Sequence, residues 1–168
     1  MTALDVDFVR TQFPAFAEAS LQGQVFFENA GGSYTCGQVI DRLHRFYTQR
    51  KVQPYGNYAA SQLGGAEMDE ARTRLAAMMN VESDEMNFGP STSQNTYVLA
   101  HAFAETLSTG DVVIVTDQDH EANSGAWRRL ESRGMVIREW HINRESGQLE
   151  TETLAGLLDE KVKLVCFP

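Results

Sequence analysis

Two unbroken apolar runs, "VVIV" at 112–115 and "LVCF" at 164–167, constrain this chain more than any other feature. A half-exposed strand alternates apolar and polar residues, so a run without alternation marks a strand covered on both faces, as in a parallel sheet. The intervening sequence supplies the crossovers. Spacing predicts a strand near 86–88, a helix over 92–107, a strand over 112–116, a helix over 122–133, a strand over 135–141, a helix over 151–160 and a strand over 163–167. Strands alternating with helices give βαβ units. The expected fold class is therefore α/β, a three-layer α/β/α arrangement around a mostly parallel sheet.

The first half reads differently. Residues 5–12 predict a short helix stopped by the proline of "FPAF", because the residue before proline is pushed out of the α region. The arm so defined spans 1–24. "QVFFEN" at 24–29 predicts a β run, and the glycines of "AGGSYTCG" a sharp turn behind it. Val39, Ile40, Leu43, Phe46 and Tyr47 recur at helical spacing and predict a buried stripe on a helix over 38–50. Residues 51–65, with Pro, Gly, Asn and Ser, predict a loop. A helix over 66–80 follows, its Met68, Met78 and Met79 expected in the core.

With 168 residues the chain is long enough for one buried core. Its formal charge of -9 disfavours nucleic acid and anionic membranes as partners. The opening "MTALDVDFVR" lacks a signal-peptide pattern, and no segment reaches the length of a membrane span. With only Cys36 and Cys166, a reduced cytoplasmic setting and free thiols are expected.

In such sheets ligands collect beyond the carboxyl ends of the strands. "GPSTSQN" at 89–95 places Ser91, Thr92 and Ser93 where a helix is expected to begin. Short hydroxyl side chains there serve either as an N-cap or, with the free backbone amides, as a phosphate-monoester site. The segment has neither the Gly-Lys-Ser/Thr of a P-loop nor the three-glycine dinucleotide spacing. "TDQDHEANSGAW" at 116–127 follows the strand "VVIV" and carries His120 among Asp117, Asp119 and Glu121. Three readings meet that pattern: an acidic loop, a ring placed over a ligand, or a metal site. Adjacent Asp-x-Asp-His residues do not readily face one ion, so no metal is assigned. "ENAGG" at 28–32 is either a simple glycine turn or a place where a substrate approaches the backbone closely.

The order of these three elements resembles the amino-terminal part of pyridoxal phosphate (PLP) enzymes of the aspartate-aminotransferase fold, in the class V aminotransferase and cysteine desulfurase group. "FFENAGGSY" resembles that family's entry strand and Asn-Ala-Gly turn, "FGPSTSQNTYVLA" its Gly-Thr-Thr-Glu helix start, and "DHEANSGAW" its Glu-His-His-Ala-Asn segment. The resemblance runs from about residue 25 to 168. It implies that Thr92 and Ser93, helped by Ser91, bind the cofactor phosphate, that His120 stacks on the pyridine ring, and that Ala30 and Gly31 lie beside an amino-acid substrate. Gln94 stands where many relatives have Glu.

The family's Schiff-base lysine sits in a Ser-x-His-Lys-like context, and Lys51, Lys161 and Lys163 all lack it. Residues 25–168 are therefore expected to be part of a PLP-binding large domain, inactive alone, covered by the remainder of the enzyme or by a second copy in a homodimer. Neither Cys36 nor Cys166 matches a desulfurase's nucleophile, so desulfuration, β-elimination, transamination and epimerisation stay open. The alternatives are a non-catalytic assembly module retaining the half-site, or an unrelated doubly wound phosphate-ester binder.

Overall fold

The computed structural model describes residues 3–168. They form two compact units, divided between Asn87 and Phe88.

The first unit is helical. Asp5 caps α1 (Val6–Thr11) by accepting the Phe8 N–H at 2.9 Å, and Pro14 opens a single 3-10 turn after it. Helix α2 (Gly37–Arg45) runs on into a π turn at Phe46–Arg50. Helix α3 (Ala59–Met79) ends at Asn80, whose φ of 56° is the left-handed conformation that stops a helix. Arg42, Arg45 and Arg50 converge on Glu67 of α3.

Several expectations fail between the arm and Phe88. Residues 24–29 form no strand, and neither do 86–88. A strand needs a neighbour for its amides and carbonyls, whatever its propensity, and Phe27 of the β-prone run is exposed. The stretch 51–65 is not a loop throughout, since α3 begins at Ala59. Gly65 serves packing rather than turning: a Cβ on this buried residue would sit 2.6 Å from the ring of Tyr55. The stripe on α2 is not buried either. Val39, Ile40 and Leu43 are 47%, 45% and 51% exposed, and Met68, Met78 and Met79 are exposed too. Helical period identifies an apolar face but not what covers it.

In the second unit the predicted alternation forms. Strands β1 (Val112–Thr116), β2 (Val136–Trp140) and β3 (Val162–Val165) make a fully parallel sheet in the order β2-β1-β3. Every residue of the central strand is buried. Val113 and Val115 face α4 (Thr92–Ala104) and α5 (Glu121–Arg128), packing on Ala100, Ala104, Trp127 and Leu130. Val112 and Ile114 face the other way, onto Trp140, Leu154 and Leu157, the leucines coming from α6 (Thr151–Leu157). Helices thus lie on both faces, and the α/β/α layering follows from the period-2 geometry of β1. The helices are shorter than their periodicity predicts: α4 stops at Ala104, and α5 gives way to a 3-10 segment at Arg129–Arg133 that closes on Gly134 at φ 91°. Among the described residues no helix is long and apolar enough to cross a membrane.

Candidate functional site

The carboxyl end of β1 and the front of α4 build one site in the second unit. Ser91 is extended and caps α4, its Oγ accepting the Gln94 N–H at 3.2 Å. Thr92 and Ser93 occupy the first helical positions, where amides have no carbonyl a turn behind them and face outward. The preceding chain is held close: the Asn95 side chain folds over Gly89, where any Cβ would collide with Asn95 Oδ1.

His120 caps α5 directly after β1. Its Nδ1 accepts the Ala122 N–H at 3.0 Å, and its own backbone N–H donates to Asp119 Oδ1 at 2.7 Å. With Nδ1 an acceptor, the neutral ring carries its proton on Nε2.

The acids beside it take separate partners. Asp117 accepts from the Ile142 N–H at 2.8 Å and pairs with His141 Nδ1 at 2.9 Å, fastening the end of β2 to that of β1. The His141 hydrogen bond, then the Ile142 amide, hold the Asp117 carboxyl below its ordinary pKa. Asp119 accepts instead from Asn123 Nδ2, and Asn123 Oδ1 accepts from the Thr96 hydroxyl at 3.0 Å. The acids therefore do not converge on one point.

A cleft of about 360 Å³ opens between these elements, lined by Ser93, Tyr97, His120, Ala122, Gly125 and Arg129. Ser93 and His120 share it, with Ser91 and Thr92 on the same helix front. Ala30 and Gly31 stand in an exposed turn of the first unit, where the Gly31 N–H donates to Glu28 O at 3.3 Å. Thr96, Tyr97, Asn123, Arg129 and His141 belong to the surroundings of this site although the sequence reading passed over them. Thr96 and Asn123 each carry one legible signal: Thr96 lies one helical turn beyond Thr92 on α4, and Asn123 is the asparagine of the "DHEANSGAW" segment.

Both cysteines are free thiols. Burial, reinforced by the charge of Asp119, pushes Cys166 up to about 11. It is a poor nucleophile at neutral pH.

Residues 25–168 match the family model for class-V aminotransferases. The chain belongs to that family. Among curated relatives, the chain is 30% identical over 167 residues to a cysteine desulfurase of Serratia proteamaculans, covering 96% of the chain and 41% of the relative. It is 31% identical over 170 residues to an aminotransferase-like protein of Gibberella zeae, covering 98% and 41%. The apo cysteine desulfurase of Thermococcus onnurineus superposes with a TM-score of 0.84 at 21% identity, over 99% of this chain and 40% of that one. A C-DES mutant with glycine covalently linked to its PLP cofactor gives 0.74 at 19% identity, over 94% and 40%. The chain thus spans about two fifths of the length of the relatives it matches, and its fold is that of the matching part of them.

Proposed function

We propose that this chain provides the phosphate-gripping and ring-covering part of a PLP site in an enzyme acting on an amino acid, of cysteine desulfurase or class-V aminotransferase type. The observation that carries the reading is the shared cleft: Ser93 of the α4 front at one side, and an imidazole pinned by its own helix at the other. The donor set fits the group. Outward amides and hydroxyls suit a phosphate dianion, and a cleft of about 360 Å³ lies within the size range of small-ligand sites.

Bound there, PLP supplies the electron sink for bonds broken at an amino acid. The chain's residues do the rest. Thr92 and Ser93, with Ser91, hold the phosphate. His120 covers the ring and excludes water from that face, while capping α5 through Nδ1 leaves Nε2 to hold a proton. For Ala30 and Gly31 the reading rests on the sequence resemblance: side chains this small leave a substrate carboxylate room near the backbone.

The contribution of the second unit is noncovalent. Lys161 and Lys163 stand at the start of β3, Lys163 donating to Glu160 O at 2.9 Å, whereas His120 follows the far end of parallel β1.

Competition binding tests the proposal. PLP is expected to bind saturably, to be displaced by inorganic phosphate, and to outbind pyridoxal, which lacks the phosphate. Equal binding of pyridoxal and PLP, or no saturable binding of either, contradicts it.

A further inference from the structure

We infer that Asn123 is a positioning residue that couples the helix front bearing Ser91, Thr92 and Ser93 to the imidazole of His120, through Thr96 on one side and Asp119 on the other. The inference rests on the cofactor reading above, and extends it to residues outside the cleft lining.

Thr96 is 5% exposed and lies one helical turn beyond Thr92 on α4. Its hydroxyl donates to Asn123 Oδ1 at 3.0 Å, and the other end of that carboxamide donates to Asp119 Oδ2. The remaining Asp119 oxygen accepts the His120 N–H at 2.7 Å. Three consecutive hydrogen bonds therefore run from α4 to the backbone of His120, and the Ala122 N–H then fixes the ring.

The chemistry of the chain allows one direction only. Ionised Asp119 accepts and never donates, so Asn123 must turn its NH₂ toward it, which leaves Oδ1 facing Thr96 and obliges the hydroxyl to donate. An amide is the group that donates at one end and accepts at the other. Aspartate at 123 would set two carboxylates against each other, and an apolar residue would break both links and strand the groups they satisfied.

The test uses the full chain with Thr96→Val, Thr96→Ser, Asn123→Asp and His120→Ala, measuring affinity for PLP and for inorganic phosphate, and amide hydrogen exchange at Ala122. Thr96→Val is expected to weaken PLP by roughly five- to tenfold, the share of one lost hydrogen bond, and Asn123→Asp by at least that much, since it also sets a second carboxylate against Asp119. Phosphate affinity, which needs only the helix front, stays level, and Thr96→Ser restores PLP binding. Exchange at Ala122 quickens in the ligand-free variants as the ring loosens. Parallel loss of PLP and phosphate affinity marks general loosening and overturns the inference, as does unchanged PLP affinity where His120→Ala lowers it. If His120→Ala itself leaves PLP affinity untouched, the ring-covering role falls and Ala122 exchange decides the coupling: faster in Thr96→Val sustains it, unchanged overturns it. Asn123→Ser cuts the same link from the other side and carries the test should Thr96→Val not fold.

Discussion

Placing a carboxylate on the front of α4 separates a structural cap from an anion site, because the two roles respond with opposite sign. Ser93 is the second helical residue and exposed. In Ser93→Asp the new charge faces the positive end of the helix dipole, which stabilises the fold by about 0.5 kcal/mol and raises Tm by about 2 °C. A phosphate monoester carries about 1.5 to 2 negative charges, and a separation of roughly 5 Å from that carboxylate sets the scale of their repulsion. Even fully screened by water, the repulsion is about 1.5 kcal/mol, or tenfold in affinity, and it grows as water is excluded. Thermal unfolding and a PLP titration on one preparation read both signs. A higher Tm with PLP affinity lowered about tenfold or more is the expected pair. A higher Tm with PLP affinity within about twofold refutes the reasoning, since Ser93 would then be part of a cap and nothing else.

Other outcomes follow from the second unit's packing and charge. Ile114→Ala, at a fully buried position of the central strand, should cost about 2–5 kcal/mol in denaturant unfolding. Asp117 has its pKa lowered on folding, so its contribution is present above the unfolded carboxylate range and lost as pH falls through the folded value; Asp117→Asn should lower stability at pH 7 and flatten that part of the acid limb of a stability–pH curve. Cys166, raised to about 11, should resist iodoacetamide at pH 8 in the native protein and react promptly once unfolded.

What the sequence revealed and what it hid divide along a physical line. The strand "VVIV" was legible to the residue, because full burial on both faces leaves no polar position in the pattern. The parallel sheet followed from the helical segments between strands. "QVFFEN" carries the same β-prone residues and forms no strand, since pairing is a property of two segments and the sequence displays them one at a time. The early start of α3 was masked by Ser61 and Gly65, residue types that usually mark loops. Here Ser61 is buried, accepting the Gly56 N–H at 2.6 Å and donating to Gln53 O, while Gly65 makes room for Tyr55.

At the candidate site, the helix start at Ser91, Thr92 and Ser93 and the place of His120 in the loop after β1 were readable as positions, because helix starts and strand ends announce themselves through short polar side chains. The link between them was not. Thr96 and Asn123 are 27 positions apart, and nothing in either neighbourhood names the other. Whether Asp117 served a ligand or the scaffold also depended on a distant partner, His141.

The central claim, that the front of α4 and the ring of His120 together receive the phosphate and the heteroaromatic ring of PLP, is tested most directly by a chemical-shift titration of the isotopically labelled chain. PLP should shift the amides of Thr92 and Ser93 and the ring signals of His120 along one saturation curve, and inorganic phosphate should shift the two amides without the ring. Movement of the His120 ring and the α4 amides with different affinities, or shifts confined to other residues, would contradict it.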